Sequence, residues 1–152
     1  MADAYLEYLF DYDSWANRVV LEFMAANPAL GEATAPGVFG TAAETMNHLL
    51  GAEGSYLNRL AKGSSYVEPP PMTVEEMLTF AGELERIGRE RMKALPSPGE
   101  PLQRTHGAFE AKAVFGQLIQ HGIEHRTHVC TIAGAAGIEP PDLTSWRFGG
   151  RV

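Results

Sequence analysis

Leu118-Ile119-Gln120-His121-Gly122-Ile123-Glu124-His125-Arg126 reads as the middle of one long helix. Val114, Leu118, His121, His125 and Ile132 recur at three-, four- and seven-residue steps, the spacing of a single helix face. The stripe predicts a helix from about Ala111 to Ala136. Gly137 stops it, and Pro140-Pro141 prevents continuation. His121 and His125 stand one turn apart, about 40° in azimuth, inside the apolar stripe. They point inward, where an unpaired polar ring is costly. Two imidazoles so placed can converge on one metal ion, and a ligand from another helix would complete a three-histidine site. Three protein ligands with open positions are the pattern of a catalytic metal rather than a structural one. The plainer reading is a pair of hydrogen-bonded core histidines. His128 lies about 10 Å along the axis from His121, so one ion cannot hold both. His125 with His128 is the other pair within reach, although His128 reads more simply as a pocket-lining or interface residue.

The rest of the chain reads as three further helices between Pro/Gly-rich breaks. The first runs roughly Ala4–Ala26, with Tyr5, Leu9, Tyr12, Ala16, Val19 and Phe23 as its stripe, and Asn27-Pro28 ends it. Trp15 and Asn17 read as core and solvent-face residues. Pro36 to Gly40 is a loop. The second helix opens on Thr41, with Glu44 three residues on as a capping box, and runs to Lys62-Gly63, Gly63 serving as the C′ residue. It carries His48. Glu44 stands four residues before His48, within reach of its ring, but the capping role is the stronger reading. Ser64–Pro71, with three consecutive prolines, cannot be helical. Thr73 with Glu76 opens the third helix, which reaches about Leu95. Leu102–Phe109 is a short extended segment or hairpin and holds His106, read as an exposed loop residue. Residues 138–152 form a short irregular tail that packs back through Ile138, Leu143, Trp146 and Phe148. The pattern predicts an all-α single domain over residues 1–152, a four-helix bundle of up-and-down type. Such bundles build metal sites from facing side chains.

Composition narrows the function classes. The 152 residues are 45% hydrophobic and 20% charged, as in an ordinary globular domain. The net charge of −7 and the lack of a basic stripe argue against nucleic acid and anionic membranes as partners. No apolar run approaches the roughly 18 residues of a spanning helix, and no signal peptide is read. Cys130 is the only cysteine and fits a reducing compartment, so a cytoplasmic location is expected. It lies roughly opposite His121 in azimuth and reads as a small buried or interface residue. The Glu-x-x-His spacing of di-iron bundles, the H-E-x-x-H motif, phosphate-binding glycine loops and Ser or Cys nucleophile motifs are all absent.

Three segments together resemble the DinB/YfiT-like superfamily of metal-binding proteins. They are Tyr12-Asp13-Ser14-Trp15-Ala16-Asn17, Thr45-Met46-Asn47-His48-Leu49-Leu50-Gly51-Ala52-Glu53, and Leu118 to Arg126, followed by Ala136-Gly137-Ile138 and Pro140-Pro141. The resemblance spans about residues 5–145. It implies a divalent-metal site made by His48, His121 and His125, with Zn²⁺ or Ni²⁺ as the expected ion, and a homodimer. It also implies a metal-dependent S-transferase that uses a low-molecular-weight thiol (bacillithiol, mycothiol or glutathione) on a small-molecule substrate. The family's fourth-helix pattern is often His-x-x-His-His-Arg-Gly-Gln. Here Glu124 precedes His125, and Thr127-His128 follow Arg126. No general base is assigned. Two other readings stand beside the transferase: a metal-dependent hydrolase, and a non-enzymatic metal- or ligand-binding stress-response protein. Since ligand imidazoles must be neutral, metal affinity is expected to fall below about pH 6.

Overall fold

The computed structural model describes residues 4–63, 65–104 and 107–149, and they are mostly helical. Four long helices, α1 (Ala4–Ala26), α2 (Ala42–Leu60), α3 (Val74–Met92) and α4 (Ala111–Ala135), pack around one apolar core. A five-residue 3₁₀ turn, Pro28–Glu32, follows α1. A two-stranded antiparallel hairpin, β1 (Pro101–Arg104) with β2 (Gly107–Glu110), precedes α4, and Pro101 pairs with Glu110. Among the described residues no helix is long and apolar enough to cross a membrane. His106 lies outside the described residues.

Local chemistry sets the helix ends. Thr41 and Thr73 each close a capping box, with Glu44 and Glu76 accepting from the cap amides at 2.8 Å. The end of α2 differs from expectation by one residue. Lys62, not Gly63, takes the left-handed conformation, at φ 61°. Lys62 N–H bonds to Arg59 O and Gly63 N–H to Asn58 O, which completes the helix stop. Gly63 is needed for space instead, because a Cβ there would strike the Asn58 side chain. Gly137 (φ 74°) stops α4 as expected.

The expected up-and-down order gives way to another. α2 packs chiefly on α4 and α1 on α3, with α2/α3 and α1/α4 contacts closing the ring; α1 and α2 share few. Asp11 reaches Arg89 and Arg18 reaches Glu85, so α1 and α3 are antiparallel. Asn47 bonds to Met72, just ahead of α3, while Leu60 and Leu95 share a cavity wall, so α2 and α3 are parallel. The cause is the proline-rich connection. The thirteen residues between Leu60 and Val74, at roughly 3.1 Å each when extended, reach about 40 Å, more than the roughly 28 Å length of α2. The strap returns along α2: Ser65 meets Asn58, Tyr66 covers Gly54, Glu68 covers Gly51, and Met72 meets Asn47. The glycines let it lie directly on the helix backbone.

The stripe on α1 is also corrected. Its buried residues are Phe10, Asp13, Ser14, Ala16, Asn17, Val20, Leu21 and Met24, whereas Tyr5 and Leu9 are exposed. Gly88 on α3 admits the fully buried Phe10 ring, which a Cβ there would strike. The tail is not irregular throughout: Ser145–Gly149 form α5. Tyr12 Oη donates to Leu143 O at 2.8 Å, and Phe148 packs on Tyr8 and Trp15. Trp146 does not pack back; it is 79% exposed.

Candidate metal centre

His48 projects from α2, and His121 and His125 from α4, and the three rings meet. Nε2 of His121 lies 3.2 Å from Nε2 of His48 and 3.0 Å from Nε2 of His125. A tetrahedral ion bound by imidazoles at about 2.0–2.1 Å sets neighbouring nitrogens about 3.3 Å apart. Both distances are close to that spacing, and the three ligand atoms all lie within 4.8 Å of one another, close enough to hold one metal ion. His48 is exposed, His121 half-buried and His125 buried, so the cluster opens to solvent along the His48 edge.

The electrostatics favour neutral rings at His121 and His125. Burial, helped by His125 and His48 beside it, pushes the His121 pKa down to about 4. Burial, with His48 and His128 nearby, also lowers His125, against the opposing charge of Glu124. Neutral imidazole is the form a metal requires. Nδ1 of His125 is buried without a hydrogen-bond partner among the described residues. Glu44 spends Oε2 on the Thr41 amide, so it serves the cap. His128 stays outside the convergence, its ring 5.3 Å from that of His125. Cys130 is half-buried, and burial raises its thiol pKa.

Set against family models and curated proteins, the chain matches none.

Beside the triad sits a buried polar network that the sequence reading missed. Arg126 Nη2 donates to Asp13 Oδ1 at 2.7 Å, and Nη1 donates to Asn17 Oδ1 at 2.6 Å. Asn17 Nδ2 in turn donates to Glu53 Oε2 at 2.7 Å. All four residues are at least 96% buried, so Asn17 is not a solvent-face residue. Gly122 makes the room, since a Cβ there would strike Asp13 and Arg126. One cation serves two carboxyls, and three ionised groups would leave a buried net negative charge. Among the described residues Glu53 is bonded only through the Asn17 amide, and it holds the proton. Burial first, then the Asp13 charge, pushes its pKa up to about 8. Burial raises Asp13 as well, against the pull of Arg126. Asp13 is the carboxylate that pairs with the guanidinium. The network joins α1, α2 and α4, and Arg126 follows His125 directly. It therefore fixes the rotation of α4 that turns the imidazoles towards α2.

A cavity of about 530 Å³ lies elsewhere, against Leu6, Leu60, Leu95 and Phe115. Leu60 is twelve residues past His48, about 18 Å along the helix. The lysines on that cavity, Lys93 and Lys112, are already paired with Glu90 and Glu110. It brings no cluster of reactive groups together.

Proposed function

We propose that the chain is a DinB/YfiT-like four-helix bundle that binds a divalent metal through His48, His121 and His125 and acts as a metal-dependent low-molecular-weight-thiol S-transferase. The observation that carries the metal reading is the convergence of three Nε2 atoms at 3.0 and 3.2 Å. Imidazole suits Zn²⁺ and Ni²⁺, the ions we assign. A metal ion of this kind supplies one thing, a lowered pKa for a thiol or water in an open position. The chain supplies the rest. The triad fixes three positions and leaves the His48 edge open to a small molecule. The low pKa of His121 keeps its ring available as a ligand at neutral pH. The Arg126 network holds α4 in register. In the transfer, the thiolate sulfur forms a bond to the electrophilic carbon, and the leaving group departs with the bonding pair.

Metal-loaded and metal-stripped protein, assayed in parallel with bacillithiol, mycothiol and glutathione, test this reading. Transfer is expected only in the loaded form, with a thiol that ionises well below its free pKa of about 8.5. Equal rates in both forms would end the thiol-activation idea. Turnover of esters without thiol would replace it with a hydrolase.

A homodimer and a cytoplasmic location belong to the same proposal. Tyr5, Leu9 and Trp146 are exposed on α1 and α5, which touch each other, and apolar surface of this kind is what a second copy would cover. Light scattering is expected to give twice the 16.5 kDa chain mass. The monomer mass at micromolar concentration would exclude the dimer.

A further inference from the structure

Phe39 is a large apolar side chain left 58% exposed, and it stands beside the exposed edge of the histidine cluster. Its ring centroid is 5.8 Å from that of His48. The loop that carries it is built to hold it there. Gly37 and Gly40 on either side take left-handed conformations, at φ 81° and 56°, that other residues rarely adopt. Val38 packs against the core, and Phe39 O accepts the Thr45 hydroxyl at 2.7 Å. Thr45 is itself buried one turn before the level of His48. The backbone is therefore fastened while the ring stays in water. Among the described residues the ring is not part of the core.

Tyr56 supplies a second aromatic surface. Its half-buried ring lies 5.8 Å from that of His121, nearly perpendicular at 81°. His48 and Tyr56 are two turns apart on α2, and Ala52 lies midway between them on the same face. A small side chain thus separates the two rings. Phe39 thus stands against His48 and Tyr56 against His121, so an aromatic ring flanks two of the three histidines.

We propose that Phe39 and Tyr56 select a flat apolar group, an aromatic ring above all, on the molecule whose donor atom reaches the triad. This rests on the metal reading above and adds the substrate class to it. Aromatic surfaces of this kind favour flat partners through offset or edge-to-face contact, beyond simple area burial. A ligand with the same donor atom but no ring would gain the metal contact and lose the walls.

The test uses Co²⁺-loaded full-length protein and two thiols, benzyl mercaptan and 2-mercaptoethanol. The readout is the thiolate-to-Co²⁺ charge-transfer band, which reports binding without catalysis. Wild type is expected to bind benzyl mercaptan at least tenfold more tightly. Phe39→Ala is expected to lose about tenfold for benzyl mercaptan alone. Binding of 2-mercaptoethanol and the Co²⁺ d–d bands should not change. Tyr56→Leu should lower the same preference. A d–d spectrum altered by Phe39→Ala would mean that the ring positions His48 instead, and would overturn the proposal. So would equal losses for both thiols, or no preference in wild type. Wild-type protein without Co²⁺ bands would remove the metal reading, and this one with it; normal bands without preference remove this one alone.

Discussion

Arg126→Met is expected to cost about 3–5 kcal/mol of stability at pH 7, the range for breaking a buried ion pair from one side. The methionine fills most of the volume but leaves the Asp13 carboxylate and Asn17 Oδ1 without their donor. Asp13 Oδ2 already lacks a partner among the described residues, so little else can take up the charge. The deficit should shrink on acidification. With the guanidinium gone, the folded-state pKa of Asp13 rises further above its unfolded value. A raised folded pKa gives stability that is present at low pH and lost as pH rises through it. Relative to wild type, the variant therefore recovers as pH falls. Glu53→Gln is the control. Glu53 already carries its proton at pH 7, its pKa being about 8, and a glutamine oxygen can accept from Asn17 equally well. That change should cost under about 1 kcal/mol, near the net value of one hydrogen bond. Urea unfolding of wild type and both variants at pH 7 and pH 5 measures all of this. A loss below about 1 kcal/mol for Arg126→Met would mean that the pair is not desolvated. A deficit equal at both pH values would mean that the stranded carboxylate is not its source.

This network also marks where sequence reading stops. Pattern reading assigns polar residues to water. Asp13, Ser14 and Asn17 occupy the buried face of α1, so the apolar stripe slipped by one residue and took in Tyr5 and Leu9. Glu53 and Arg126 are charged residues on separate helices, and no local pattern says that they meet. The signal that was available is Gly122, a helix-interior glycine with no turn to make, which points to a close approach. Capping boxes, by contrast, depend on residues three apart, and Thr41/Glu44 and Thr73/Glu76 were legible in full. The helix order was not, because it depends on where the proline strap runs. Its partners Gly51 and Gly54 lie well upstream, and only the length of the connection hinted that it could return along α2. His121 and His125 were legible as a pair because a helix fixes their separation. His48 needed the fold to bring it within 3.2 Å of His121.

Alanine at His48, His121 or His125 is expected to abolish stoichiometric metal binding in each case, with affinity falling by more than the roughly 10–100-fold seen on loss of an outer-shell partner. His128→Ala and His106→Ala should keep their metal. The chain should remain folded throughout, since the apolar core and not the triad supplies most of the burial. Elemental analysis of dialysed proteins reads the stoichiometry, and full metal in His48→Ala would sink the three-ligand site. The acid limit follows from the pKa directions. A proton competes with the metal only below the pKa of the metal-free ring. For His121 that is about 4, so its ring does not compete near pH 6, and burial shifts His125 in the same direction. Binding should therefore outlast the pH of about 6 at which unperturbed imidazoles begin to let go. The contribution of His121 is lost only as pH falls towards 4. The same depression weakens the metal-free fold in acid. Below about pH 6.5 the unfolded chain takes up protons that the folded rings refuse, so apo stability declines as pH falls from there towards 4. Bound metal should offset that decline, and the gap between loaded and stripped protein in thermal unfolding should persist from pH 7 to below pH 6. Release of half the metal above pH 6 would show that His121 and His125 are not held neutral by their surroundings.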